Sequence, residues 1–195
     1  MFQIARYGWT QVSLRRIGAW GPSFALLVLT LGGPAPTAAQ QTAKIELKTI
    51  SFTPGGFIPE RFTCKGADVS PALTWTDPPA GTQSFAIIED DPDAPSGVFV
   101  HWLIYGLPAA SRRLSEGISG NDQMPDGSRQ GTNDFSRTGY SGPCPPPGKP
   151  HRYFIRLYAL DVKLDLRPAA TRRELDAAMR GHLLAQAELM GRFRR

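Results

Sequence analysis

Residues 84–105 read SFAIIEDDPDAPSGVFVHWLIY and carry two apolar runs separated by an acidic, proline-containing segment. The runs at 84–89 and 98–105 are nearly continuous in apolar side chains. Such runs predict strands that are buried in a sheet rather than half exposed. Proline fixes its own backbone angle and pushes the preceding residue toward extended geometry, so the segment between the runs is predicted to be a stiff turn.

Shorter segments on either side extend the β pattern. Residues 44–48 alternate apolar and charged side chains, residues 71–75 form a short run closed by prolines, and residues 152–160 give the clearest strand. Residues 109–150 are polar and rich in glycine and proline, which is typical of a binding loop. The pattern predicts a mainly β domain.

One helix is predicted to close the chain. Thr171, followed three residues later by Glu174, forms a capping box. Apolar side chains then recur at helical spacing and predict one apolar stripe, formed by Leu175, Ala178, Met179, Leu183, Leu189 and Met190. His182 lies on this stripe, where a packing role is the simplest interpretation.

The first 39 residues have the order of a secretory signal. Three arginines and no acidic residue precede a short apolar core at 24–31, and small residues follow up to Ala39. The core is too short to span a bilayer. We therefore predict a signal peptide at 1–39, a single mature domain at 40–195 without a transmembrane segment, and a periplasmic or secreted location. An amphipathic helix that caps the domain is the alternative.

The basic composition does not indicate a nucleic-acid partner. The chain has 22 Lys and Arg against 17 Asp and Glu, a net charge of +5. Removal of the predicted leader takes away three arginines and no acid, which leaves a charge of +2. A hydrophobic fraction of 41% and a charged fraction of 20% are those of an ordinary globular domain.

The only two cysteines, Cys64 and Cys144, both lie in the predicted mature domain. If the protein is exported, these two cysteines can form one disulfide, which would close a long loop. Two buried free thiols are the alternative.

Polar side chains concentrate at the ends of the predicted strands. Asp91 and Asp93 follow a buried strand and point to the same side of an extended turn, so their repulsion predicts a raised pKa for one of them. His101 lies inside an apolar strand. Strict alternation places it opposite Trp102, on one face with Phe99, Leu103 and Tyr105.

The third polar segment, residues 139–153, reads GYSGPCPPPGKPHRY. Its prolines make a rigid loop, and its glycines permit a ligand to approach the backbone closely. His151 and Tyr153 alternate in phase with Ile155 and Leu157, so both are predicted to face inward.

Imidazolium, phenol and a free glycine amide all donate hydrogen bonds, so these segments together predict an oxyanion site. The carboxylates fit if one is protonated or if they hold the histidines charged. Taken singly, each segment also has a structural explanation: a solvated turn, a core histidine or a structural proline-rich loop.

These motifs resemble the phosphatidylethanolamine-binding proteins, also called Raf kinase inhibitor proteins. The resemblance runs from about Ile45 to the end of the chain. The amino-acid sequence at 63–71, 139–146 and 158–161 is similar to that of the bacterial and archaeal branch. It implies antiparallel sheets in a β-sandwich-like arrangement with a C-terminal helix. It also implies a small pocket at one edge for phosphate-like and carboxylate-like groups, formed by Asp91, Asp93, His101, Gly142, His151 and Tyr153. Animal members add a C-terminal helix with a pocket tyrosine, whereas no Tyr follows Tyr158 here.

The predicted function is that of a non-catalytic exported protein that binds a small oxyanion or a phospholipid head group without a cofactor. An inhibitor or interaction module for a serine protease or an envelope regulator is the alternative, because a stiff loop loses little entropy on docking. A hydrolase that uses His101 and an Asp is disfavoured, as is a metal site from Asp91, Asp93, His101 and His151. The sequence has no Gly-x-Ser-x-Gly elbow and no His-x-x-x-His or Cys-x-x-Cys spacing.

Overall fold

A computed structural model describes residues 44–118 and 120–195. That part of the chain contains one α-helix, α1 (Arg172–Met179), and a short 3-10 helix at Glu60–Phe62. Its strands are β1 (Leu47–Lys48), β2 (Leu73–Trp75), β3 (Ser84–Asp91), β4 (Phe99–Pro108), β5 (Arg113–Leu114), β6 (Arg129–Gln130), β7 (His151–Leu160) and β8 (Leu183–Phe193). The predicted leader, 1–39, and its cleavage site lie outside the described residues, so both stay predictions.

The strands form two antiparallel sheets. The larger has five strands in the order β6-β4-β3-β7-β8, and the smaller has three in the order β1-β2-β5. The mainly β, antiparallel fold with one C-terminal helix is therefore confirmed. The segment 109–150, predicted as one long loop, contributes β5 and β6 and is otherwise irregular.

The five-stranded sheet is covered on both faces. On one face the small sheet packs, with a core that includes Leu73, Trp75 and Phe85. On the other face lie α1 and the segment before it, with a core that includes Ile88 and Leu175. The central strand β3 is buried at every position. Its continuous apolar run thus marks a strand enclosed by two layers.

Helix α1 begins at the predicted capping box. The Thr171 hydroxyl accepts from the Glu174 backbone N–H, and the Glu174 carboxylate accepts from the Thr171 backbone N–H at 2.7 Å. The helix is fastened to the sheet by charge as well as by packing. Asp90 of β3 accepts from Arg156 of β7 at 2.7 Å and from Arg172 of the helix at 3.2 Å.

The prediction that the helical stripe continues to Met190 is wrong. The helix ends at Met179, and residues 183–193 form β8, which pairs with β7 along its whole length. Gly181, at φ +85°, breaks the helical path between them. Alternate side chains of β8, including Ala187 and Leu189, are buried. Pairing with β7 therefore overrides a spacing that is compatible with a helix.

A β-bulge interrupts β4 at His101. Consecutive residues of β3 pair with residues of β4 that are two apart: Glu89 with Trp102, and Asp90 with Val100. His101 is the extra residue, and its ring contacts those of Phe99 and Tyr153, with centroids 5.3 and 5.2 Å away. The predicted grouping with Phe99 is confirmed. The grouping with Leu103 and Tyr105 is wrong, because those side chains pack on the helix-covered face.

Cys64 and Cys144 form a disulfide, with their Cα atoms 5.4 Å apart. The alternative of two free thiols is therefore contradicted. The Cys64 backbone N–H also donates to the Pro143 carbonyl at 3.2 Å. Together these bonds fasten the proline-rich loop to the segment that follows the 3-10 helix.

Candidate functional site

A cleft of about 310 Å³ opens at one end of the five-stranded sheet, where strands begin and end. Strands β4 and β7 both run antiparallel to β3, so the end of β3 meets the beginnings of β4 and β7 there. Asp91, His101 and His151, one from each strand, line the cleft. Their convergence is a direct consequence of the strand order.

His151 is held by Asp91. The His151 Nδ1–H donates to Asp91 Oδ2 at 2.7 Å, and both side chains are largely buried. The other oxygen of Asp91 accepts from the Asp93 backbone N–H at 2.8 Å. Because the carboxylate is the acceptor, the Nδ1 atom of His151 carries the hydrogen. The Nε2 atom is then the nitrogen of this ring that a ligand can use.

His101 has the same arrangement with a different partner. Its Nδ1–H donates to the Ser141 carbonyl oxygen at 2.7 Å, and a carbonyl can only accept. Burial lowers the pKa of His101 below 6.5, and the Ser141 carbonyl and the charge of Asp91 oppose that effect without cancelling it. The ring is therefore mainly neutral at pH 7. It becomes cationic when the pH falls or when a bound anion stabilises the charged form.

Asp93 turns away from the cleft. Its carboxylate accepts two side-chain bonds from Arg152, at 2.7 and 2.9 Å, and one from the Arg152 backbone N–H at 2.9 Å. The side-chain bonds from Arg152 are the main reason that the pKa of Asp93 falls to about 2. The prediction that repulsion raises the pKa of one carboxylate of this pair therefore fails for Asp93. This residue fastens the turn to β7.

The backbone N–H of Gly142 is not free. It donates to Asp68 Oδ1 at 2.7 Å, so it does not supply the free amide predicted for an anion. A Cβ at this position would collide with the backbone of Phe62 and Thr63. The close approach that requires glycine here is to another part of the chain.

Tyr153 lies behind His101, completely buried. Its hydroxyl has no hydrogen-bond partner at good geometry within the described residues. Burial raises the pKa of Tyr153 above its usual range, and the nearby charge of Asp91 raises it further. The prediction that this side chain faces inward is confirmed, but it supports the cleft from below and does not line it.

Two further residues shape the cleft and were missed in the sequence. Asn133 is buried and donates to the Gly139 carbonyl and to Ser141 Oγ, both at 3.0 Å, while its Oδ1 accepts from the Phe135 backbone N–H at 3.0 Å. These bonds bring Phe135 to the cleft wall. One signal was available, because Phe135 is the only aromatic residue between Tyr105 and Tyr140.

A buried acid lies one alternation step below Asp91 on β3. Burial is the main cause that raises the pKa of Glu89 to about 8, and the charges of Asp90 and Asp68 add to it. Its Oε2 atom has no hydrogen-bond partner among the residues described. Glu89 is therefore mostly protonated at neutral pH.

Within residues 44–118 and 120–195, no three His, Cys, Asp or Glu side chains are grouped as they would be around a metal ion. Of the four residues weighed as a metal set, Asp93 bonds Arg152 instead of facing the other three. No helix in the same part of the chain combines the length and apolar character needed to cross a bilayer.

Relatives of this chain occur in archaea and bacteria. A UPF0098 protein of Methanothermobacter thermautotrophicus is 50% identical over 151 residues, which cover 77% of this chain and 99% of the relative. A Mycobacterium tuberculosis protein named as a candidate lipoprotein, LppC, is 40% identical over 161 residues, covering 82% and 75% respectively.

Two solved structures share the fold. The phosphatidylethanolamine-binding protein homologue CT736 of Chlamydia trachomatis has a TM-score of 0.71 at 36% identity, covering 78% of this chain and 98% of its own. Escherichia coli YbcL, described as a member of the mammalian family of that name, has a TM-score of 0.73 at 29% identity, covering 78% and 99%. The sequence model of the family matches residues 48–194. The chain belongs to the phosphatidylethanolamine-binding protein family.

Proposed function

We propose that the protein binds a small oxyanion, a phosphate-like or carboxylate-like group, in the cleft formed by Asp91, His101 and His151, and that it catalyses no reaction there. The observation that carries the proposal is the paired arrangement of the two histidines. Each commits its Nδ1–H to an acceptor on the protein, and both rings line one cleft. No hydrogen bond joins either Nε2 atom to a side chain among the described residues.

The chemistry of binding follows from the tautomers. A protonated imidazole donates an N–H from Nε2, and a hydrogen bond from a cation to an anion is stronger than one between neutral groups. Asp91 contributes indirectly, because it fixes the orientation and tautomer of His151. The proposed site therefore contains fewer residues than the predicted pocket. Asp91, His101 and His151 surround the ligand, whereas Asp93, Gly142 and Tyr153 hold these three in place.

Calorimetry with inorganic phosphate and phosphoethanolamine tests this proposal. We expect wild-type protein to bind both more tightly as the pH falls, and we expect His101→Ala to lose about tenfold or more in affinity. His182→Ala is the matched control, since His182 is the third histidine of the chain and pairs with Asp161 outside the cleft. Unchanged affinity in His101→Ala would show that these ligands do not bind at His101 in this cleft.

We also propose that the protein works in the cell envelope. The predicted signal at 1–39, the disulfide and the relative named as a candidate lipoprotein all support this location. Phospholipid head groups are available there as ligands. Fractionation of the source cells, followed by N-terminal mass spectrometry, tests the idea. A chain starting at Gln40 outside the cytoplasm is the expected result, and an unprocessed cytoplasmic chain contradicts it.

Inhibition of a serine protease is the second candidate function. The proline-rich loop is exposed at 146–150 and is held at Cys144 by the disulfide, so it would lose little entropy on docking. Incubation with a panel of serine proteases tests this candidate. Absence of inhibition at micromolar concentration contradicts it for the proteases used.

A further inference from the structure

Most of the cleft wall is apolar, although its base carries titratable groups. The volume of about 310 Å³ lies at the lower end of the range for pockets that hold small organic molecules. The wall consists largely of rings and prolines, namely Pro95, Phe99, Phe135, Pro145 and Pro146. A bare phosphate ion satisfies the histidines but leaves this wall in contact with water.

Aromatic rings adjoin the histidine that would contact the anion. The Phe99 and Phe135 rings meet edge to face with centroids 4.8 Å apart, and both lie close to the His101 ring, at 5.3 and 5.4 Å. An oxyanion at His101 therefore lies beside two aromatic side chains. Any group that the oxyanion carries toward the cleft mouth meets them.

The Phe135 side chain is presented by a fixed loop. Asp134 is bonded to Val100 of β4 twice, through its carboxylate at 2.7 Å and its backbone N–H at 3.0 Å. Phe135 is nevertheless 38% exposed. A partly exposed ring on a pinned backbone is available to a ligand at a small cost in entropy.

We propose that the cleft selects an oxyanion attached to an apolar group, above all an aryl group, and that Phe135 is the residue that determines this preference. This inference rests on the proposed function, because the oxyanion must first bind at the histidines. The apolar group packs against Phe135 and the loop prolines. This packing buries apolar surface that an inorganic anion would leave in contact with water.

A series of phosphonates separates the two parts of the ligand. Calorimetry compares inorganic phosphate, methylphosphonate and phenylphosphonate on wild-type protein at one pH. We expect phenylphosphonate to bind about tenfold more tightly than methylphosphonate. In Phe135→Ala this preference falls to about twofold or less, because phenylphosphonate loses far more affinity than methylphosphonate, and Phe135→Leu keeps part of it. Phe57→Ala, at an exposed phenylalanine that packs under Arg192 outside the cleft, keeps the whole preference.

The outcomes are distinguishable. Equal affinity for all three ligands in wild-type protein overturns the inference and leaves the proposed function standing. Failure of all three to bind overturns both. Loss of methylphosphonate binding in Phe135→Ala, with the unfolding transition unchanged, shows that Phe135 supports the anion itself, and this overturns its assignment to the apolar group. The wild-type comparison needs no variant, so a poorly folded Phe135→Ala does not prevent the test.

Discussion

Replacement of Glu89 by glutamine should make the protein more stable at alkaline pH. Glu89 lies in the central strand β3, is almost fully buried, and has one oxygen without a partner among the described residues. Burial raises its pKa from the ordinary 4.5 to about 8. Glutamine has the shape of the protonated carboxyl group and cannot ionise. Glu89→Gln therefore preserves the packing and removes the titration.

The sign of the effect follows from the two pKa values. In the interval between about 4.5 and 8, the unfolded chain has released the Glu89 proton and the folded protein still holds it. The free energy of unfolding therefore falls as the pH rises through this interval, by about 1.4 kcal/mol per pH unit at most. From pH 5 to pH 8 the loss due to Glu89 amounts to roughly 3 to 4 kcal/mol.

Urea unfolding at pH 5, 6.5 and 8 measures this loss. All other titrating groups are common to the two proteins, so the difference between the variant and wild-type protein isolates Glu89. We expect that difference to grow by roughly 3 to 4 kcal/mol from pH 5 to pH 8. Glu60→Gln, at an exposed glutamate, should show no such growth. Parallel pH profiles for Glu89→Gln and wild-type protein would refute the claim that a protonated acid is buried behind the cleft.

Further predictions concern the cleft and its frame. Because burial lowers the pKa of His101, affinity for phosphoethanolamine should continue to rise below pH 6.5, and calorimetry that shows a flat profile from pH 8 to pH 5 contradicts this. Replacing both Cys64 and Cys144 by serine opens a disulfide between residues 80 apart and should lower the free energy of unfolding by up to about 4 kcal/mol; a loss below about 1 kcal/mol in urea would count against this role. Gly142→Ala forces a methyl group against the backbone of Phe62 and should cost about 1–3 kcal/mol, so a neutral effect in thermal unfolding would argue against that close approach.

The strands could be predicted from local patterns, whereas their antiparallel arrangement and the meeting of Asp91 with His151 were implied by the family resemblance. Alternation in residues 152–160 places His151 on an inward face, and the buried run at 84–89 is followed directly by Asp90 and Asp91. Once the strands are antiparallel neighbours, the two side chains must lie at one end of the sheet. Their hydrogen bond then follows from this placement.

The features that were missed depend on distant partners. Spacing in residues 183–193 fits a helix as well as a strand, and β7, some thirty residues earlier, decides in favour of a strand. The bulge at His101 is a property of its register with β3, which one strand cannot reveal. The bond between Gly142 and Asp68 joins residues 74 apart in the chain. Only the folded structure could show that this amide is already occupied.

A crystal structure of the protein with phosphoethanolamine tests the central claim most directly. We expect density for the phosphoryl group in the cleft, with its oxygens within hydrogen-bond distance of Nε2 of His101 and Nε2 of His151. A cleft that holds only solvent at saturating ligand, or phosphoethanolamine bound elsewhere on the molecule, would contradict it.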